Sequence, residues 1–137
     1  LLGWVRARHG DAAGRRVEAV LRRRGGNSAG ERILSIDHRG RVHPDQFFAT
    51  IVLGDVRRQS LAEILAHPLR DELRNRETLL EGRCGACAYK ALCRGSHRER
   101  ALARHGSLWA PDPACVMTDA EIGAAPEAEV EVKEAVA

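Results

Sequence analysis

The sequence is poor in aromatics, in lysine and in long apolar runs, and each shortage excludes something. Two Phe, two Trp and one Tyr among 137 residues leave no row of rings of the kind on which single-stranded nucleic acid stacks. Tyr89 alone is thin support for an RNA-binding surface, and no nucleic-acid partner is expected. No apolar run approaches the ~20 residues of a membrane span, so no membrane partner is expected either. The opening stretch "LLGWVRARHG" is too charged, and its apolar part too short, for a secretory signal. We therefore expect a cytoplasmic location. The chain does not begin with Met, and we expect it to be an excised piece of a longer protein.

Lysine is nearly absent, with only Lys90 and Lys133, so the basic charge is carried by arginine. The formal net charge of +3 also hides an asymmetry. Residues 118–137 hold six acids and one Lys, a net of −5, which leaves +8 on the preceding 117 residues. Arginine suits planar, bidentate capture of carboxylate and phosphate. An arginine-rich body therefore reads either as a site for a polyanionic ligand or as a solvated surface, and we prefer the surface.

Local patterns give an α+β chain. "LLGWVRAR" and "AAGRRVEAVLRRR" carry apolar residues at helical spacing, with Asp11 placed to cap the second piece. "GGNSAG", Gly25 to Gly30, ends it as a flexible loop. This loop lacks the Lys-Ser/Thr of a phosphate-cradling P-loop. "RILSID" alternates as a strand, "HRG" turns, and "RVHPDQFF" returns, predicting a β-hairpin followed by a short extended segment in "TIVLGDV". Ser60 and Glu63 in "SLAE" form a capping box. His67-Pro68 ends that helix and starts "PLRDELRNR". "SHRE", Ser96 to Glu99, reads as a second capping box opening "RERALARH". Residues 124–137, acidic and without aromatics, read as a disordered tail.

The chemistry-bearing residues are four cysteines in the pattern C-x2-C-x5-C-x21-C: Cys84, Cys87, Cys93 and Cys115. Disulfides are disfavoured because a chain without a secretion signal keeps its thiols reduced. Zinc usually takes two C-x-x-C knuckles, and only Cys84 and Cys87 form one. A zinc variant with Cys84, Cys87, Cys93 and His97 leaves Cys115 idle, and a surface role for His97 is preferred. A [4Fe–4S] cluster takes one thiolate per iron, and three close ligands with one distant ligand suit it. We favour the cluster, although spacing alone does not separate it from zinc, since both prefer thiolate.

The surroundings of the cysteines add a resemblance. "GDVRRQSLAEIL…PLRDELRNRETLLEGRCGACAYKALCRGSHRERALARHGSLWAPDPAC" resembles the C-terminal SPASM/twitch region of radical SAM enzymes. The likeness runs over roughly residues 25–123. "GGNSAG" followed by "SIDHRGRVHPDQFF", and "MTDAEIG" after Cys115, resemble the branch that modifies haem precursors, including the haem d1 biosynthesis proteins of the NirJ type. The resemblance implies three parts: residues 1–24 as the helical end of a preceding radical SAM domain, 25–123 as the auxiliary-cluster domain, and 124–137 as tail. It implies a small β-hairpin-plus-helices fold around one auxiliary [4Fe–4S] cluster on Cys84, Cys87, Cys93 and Cys115. A second cluster and S-adenosylmethionine would belong to the parent enzyme, normally on a partial (β/α)6 barrel. The implied substrate is a didecarboxysiroheme-type tetrapyrrole that loses propionates in favour of oxo groups, with the auxiliary cluster as electron acceptor and a ferredoxin or flavodoxin as reductant.

Departures from the pattern matter too. Asp45 follows Pro44 where many SPASM proteins place a cysteine for a second auxiliary cluster. Arg94 stands beside the third cysteine, and we expect it to point to solvent. The C-x3-C-x2-C motif that binds the SAM-cleaving cluster does not occur, so this chain by itself generates no radical and holds no catalytic residue. Arg39, Arg41 and Arg94 are candidates to meet substrate carboxylates, whereas His43 is expected on a solvated surface. The alternatives are a sister enzyme such as a haem b synthase, a siroheme-processing or a peptide-modifying SPASM enzyme, and a non-catalytic zinc module that binds RNA or protein.

Overall fold

The computed structural model describes residues 2–124. The architecture is α+β, with a three-stranded antiparallel sheet and seven helices among the described residues. Helix α1 spans Leu2–Arg24 and is broken at Gly10, whose φ of 79° and ψ of 168° are not helical. The two helical pieces read from the sequence thus meet at a glycine kink. Gly25, at φ 68°, ends α1 by donating its N–H to the Leu21 carbonyl at 2.8 Å, the left-handed stop that glycine accepts without steric cost.

Strands β1 (Ser35–Ile36), β2 (Arg41–His43) and β3 (Gly54–Asp55) follow. Ser35 pairs with His43 and Ile36 with Val42, while Arg41 pairs with Asp55 and Val42 with Gly54. The hairpin and the further extended segment are as expected, but shorter, because Pro44 has no N–H to continue β2. Alternation along β2 turns Val42 inward, where it packs with Leu53 and Ile64 against Leu34, Ile51 and Leu69. Ile64 comes from helix α2 (Leu61–Leu65), which opens with the expected capping box. Glu63 donates its N–H to Ser60 Oγ at 3.3 Å, and Ser60 returns its own N–H to Glu63 Oε2 at 2.7 Å. Helix α3 (Pro68–Arg74) begins at the proline, with His67 Nδ1 accepting the Leu69 N–H.

A single 3-10 turn, Arg76–Thr78, leads into the cysteine end. That end consists of α4 (Gly82–Ala86), α5 (Lys90–Cys93), α6 (Arg98–His105) and α7 (Asp119–Ile122). The capping box expected at Ser96 is absent. Ser96 has a φ of 54°, which takes it out of the extended conformation an N-cap needs, and its hydroxyl accepts from Arg100 instead. His97 precedes α6 without a side-chain cap. A capping box does exist further on, between Thr118 and Glu121 at α7. The tail expected over 124–137 lies outside the described residues beyond Ala124.

Two further expectations are corrected. His43 is buried, 5% exposed. Its Nδ1–H reaches the Ile51 carbonyl at 2.7 Å, and Nε2 stands 3.5 Å from Asp37 Oδ2, so it staples the hairpin rather than facing water. Arg94 is also buried. It doubles back to pair with Glu31 and donates to the Arg74 carbonyl at 2.6 Å.

Candidate metal centre

The cysteine end is organised by arginine and by backbone turns more than by apolar packing. Cys84 sits inside α4, Cys87 caps its end, and Cys93 closes α5. Gly85 has no alternative residue, since a Cβ there would run into the Leu80 backbone carbonyl. After Cys93 the backbone makes three left-handed residues in succession, Arg94 (φ 57°), Gly95 (φ 73°) and Ser96 (φ 54°). Left-handed φ at two non-glycine residues is costly; the turn folds back on Cys93, whose carbonyl accepts the Ser96 N–H at 3.2 Å. Tyr89 N–H donates to Cys87 Sγ at 3.3 Å. Backbone N–H groups aimed at thiolate sulfur are the means by which proteins stabilise the charge of a metal–thiolate centre.

Cys115 arrives on a separate loop that three arginines hold in place. Arg100 grips Asp112 with both arms, Nε to Oδ1 at 2.9 Å and Nη2 to Oδ2 at 2.6 Å. The same carboxylate accepts the Ala114 N–H at 3.0 Å, shaping the "DPAC" turn. Burial works to raise the Asp112 carboxyl, but the Arg100 bonds and the Ala114 N–H outweigh it and hold it below the usual range. Arg98 donates to the Leu108 and Ala110 carbonyls at 2.9 and 2.7 Å and also to Gly95 O. Arg83 binds Asp119 Oδ1 at 2.9 Å and the Met117 carbonyl. The sequence contained this signal as Arg-x-Arg in α6 and Asp-Pro before Cys115, but nothing in the residue types alone paired them.

All four cysteines are free and line one cavity of about 240 Å³, together with Arg83, Tyr89, Met117 and Ile122. Cys93 is exposed as a residue, yet burial of its sulfur raises the thiol, followed by the neighbouring Cys84 thiolate. Surface area describes its access and the raised thiol its inner side, so the two describe a residue open on one side. His97 does not line that cavity. It is half-buried and lines a second cleft with Asn27, Asp45 and Phe47, and Cys93 and Ser96 border both. Asn27 Oδ1 is fixed as an acceptor of the Ala29 N–H at 2.7 Å and of Arg76, so Asn27 Nδ2 donates to His97 Nδ1 at 3.3 Å. Among the described residues, no three His, Cys, Asp or Glu side chains converge closely enough to bind a single metal ion. Four cysteines lining one cavity form a set of soft donors of the kind that zinc and iron–sulfur clusters both take.

Residues 28–88 match the model of the SPASM family, an iron–sulfur cluster-binding domain. The chain carries a SPASM domain. The match includes Cys84 and Cys87; Cys93 and Cys115 follow it. Two curated relatives extend the likeness. The "Pre-heme d1 synthase" of Dinoroseobacter shibae is 40% identical over 126 residues, covering 90% of this chain and 31% of that protein. The "Fe-coproporphyrin III synthase" of Methanosarcina barkeri is 40% identical over 104 residues, covering 72% of this chain and 26% of that protein. The chain thus spans less than a third of either relative. No solved structure matches. No helix among the described residues of this SPASM chain is long and apolar enough to cross a membrane.

The glycine-rich loop has a structural use beside the cysteines. A Cβ at Gly26 would strike the Cys93 carbonyl, so this glycine lets the loop lie directly on the backbone of the third cysteine. Of the arginines considered for substrate, Arg94 is buried and Arg41 is tied to Asp37 at 2.7 Å, while Arg39 stays exposed.

Proposed function

We propose that Cys84, Cys87, Cys93 and Cys115 hold one auxiliary [4Fe–4S] cluster, and that the chain is the auxiliary-cluster region of a radical SAM enzyme that modifies a tetrapyrrole. The observation that carries this reading is that all four cysteines line one cavity which His97 does not, although Cys93 also borders the cleft that holds His97. The His97 ring is engaged by Asn27 Nδ2 at 3.3 Å and stands edge-on to Phe47, with ring centroids 5.1 Å apart. The names of the two relatives support a haem-forming branch, with a didecarboxysiroheme-type substrate exchanging propionates for oxo groups.

When bound, such a cluster supplies one-electron chemistry at a potential set by hydrogen bonds and solvent access, suited to taking the electron that a substrate radical must lose. The chain's own residues define the conditions. The Tyr89 N–H offsets thiolate charge at Cys87, and Arg83, Arg98 and Arg100 fix the loop that carries the fourth ligand. Of the three candidate arginines, Arg39 is the exposed one and is the one proposed to meet a substrate carboxylate. S-adenosylmethionine, its own cluster and a ferredoxin- or flavodoxin-type reductant belong to the rest of the enzyme, in a reducing compartment such as the cytoplasm.

Metal and sulfide analysis after anaerobic reconstitution tests the reading. Residues 1–137 are expected to hold about four irons and four acid-labile sulfides with broad visible absorption. Cys115→Ser should lose or convert the cluster. One zinc, no colour and unchanged metal binding in Cys115→Ser would overturn the assignment in favour of the His97 site.

A further inference from the structure

Arg98 has a property that its carbonyl bonds do not explain. It is 0% exposed, a guanidinium removed from water altogether. Three of its bonds go to neutral carbonyls, and its Nε finds no partner among the described residues. Among the described residues no carboxylate pairs with it directly, and Asp112 is held by both arms of Arg100. A buried cation without a counter-charge is among the least favourable arrangements a protein interior can hold.

The position of Arg98 suggests where that counter-charge lies. Gly95 lines the four-cysteine cavity, and a Cβ on it would stand 2.8 Å from Arg98 Cζ and 2.9 Å from Nε. The guanidinium therefore backs directly onto the cavity wall, and only glycine leaves room for it. Burial pulls the Arg98 charge down, and among the groups that oppose this Cys84 comes first, ahead of Asp112 and Cys93. Arg76 makes the contrast. It is also 0% exposed, and burial pulls it down to about 10, yet the anions near it are the carboxylates of Glu31 and Asp45.

From this geometry we infer that Arg98 is the internal counter-cation of the group held by the four thiols, its charge and free Nε–H balanced by the negative charge of the loaded site. The inference rests on the cluster reading above. Its consequence is that Arg98 raises the reduction potential of that cluster, because a nearby positive charge favours the more negative, reduced state. Arg98 acts here as a tuning residue and touches no substrate.

A pair of variants in the intact protein tests it, with Cys115→Ser identifying which redox signal belongs to this site. Arg98→Lys keeps the charge and loses the fork; Arg98→Gln loses the charge. Iron content and the midpoint potential are followed by redox titration with electron paramagnetic resonance. The expected result is wild-type loading and a near wild-type potential for Arg98→Lys, with a clearly lower potential or failed loading for Arg98→Gln. Equal behaviour of the two variants, whether both load unshifted, both shift alike or both fail, would assign Arg98 a purely structural role and overturn the inference. So would loading by Arg98→Gln alone. Zinc in the wild-type site would instead sink the cluster reading itself, so the two failures are distinct.

Discussion

Around the hairpin, Val42, Leu53 and Ile64 meet with 1%, 3% and 0% of their surface exposed, and Leu34, Ile51 and Leu69 close over them. From Arg76 onward the picture changes. The buried apolar residues there are Leu80, Ala101, Ala110 and Ile122, while the largest enclosed side chains are Arg76 and Arg98. The first region is held by removal of apolar surface from water, which stabilises without regard to direction. The second is held by arginine bonds to carbonyls, which fix geometry but return little net stability once the desolvation of charge is counted. The hairpin end thus supplies most of the folding free energy, and the cysteine end supplies a shape that is completed by what the thiols bind.

The sharpest way to break this comparison is to damage the apolar end. Ile64→Ala empties a fully buried site on α2 and is expected to cost about 2–5 kcal/mol, read from the shift of the urea midpoint. Iron content per folded molecule should stay unchanged, because no cysteine-end contact is lost. A drop in iron content among the molecules that remain folded would mean that the two ends are not separable.

Much of the hairpin end was legible in the sequence because its determinants are local. The capping box at Ser60, the His67-Pro68 break and the alternation through Val42 depend on neighbours a few residues away. The cysteine end was legible only in its ligand pattern. Ser96 carried the letters of a capping box, but the tight turn after Cys93 puts it in the left-handed region. The arginine excess read as a surface, yet Arg70, Arg76, Arg94 and Arg98 are buried, each ending on backbone carbonyls, at 20 or more residues' separation for the first three and 10 to 12 for the outer bonds of Arg98. His43 was misread for the same reason, since its Ile51 and Asp37 partners come from the return of the chain. Residue type gives no hint of which distant carbonyl a guanidinium will meet.

A smaller effect is expected from Asp112→Asn at the cysteine end. The carboxylate is buried, but Arg100 is 43% exposed, so solvent screening reduces the pair's worth to about 1–3 kcal/mol. The sign with pH follows from the lowered carboxyl. A group whose pKa falls on folding adds stability above its unfolded pKa of about 4 and loses it as pH drops towards the folded value. The stability gap between the wild type and Asp112→Asn, measured on the iron-free chain, should be constant above about pH 4 and shrink below it. A gap that is flat through this window would mean that Arg100 does not engage the ionised carboxylate.

The smallest expected effect separates the two ends most cleanly. Ser60→Ala removes one half of the α2 capping box, where Oγ accepts the Glu63 N–H at 3.3 Å, and should cost about 1 kcal/mol. Ser60 is exposed and touches nothing at the cysteine end, so the loss belongs wholly to the hairpin end. The variant should therefore lower the urea midpoint slightly and leave the iron content and midpoint potential of the cluster where they were. A shifted potential in Ser60→Ala would show that strain at α2 reaches the thiols through α3 and the buried arginines, and the division into a stabilising end and a shaping end would then fail at its mildest test.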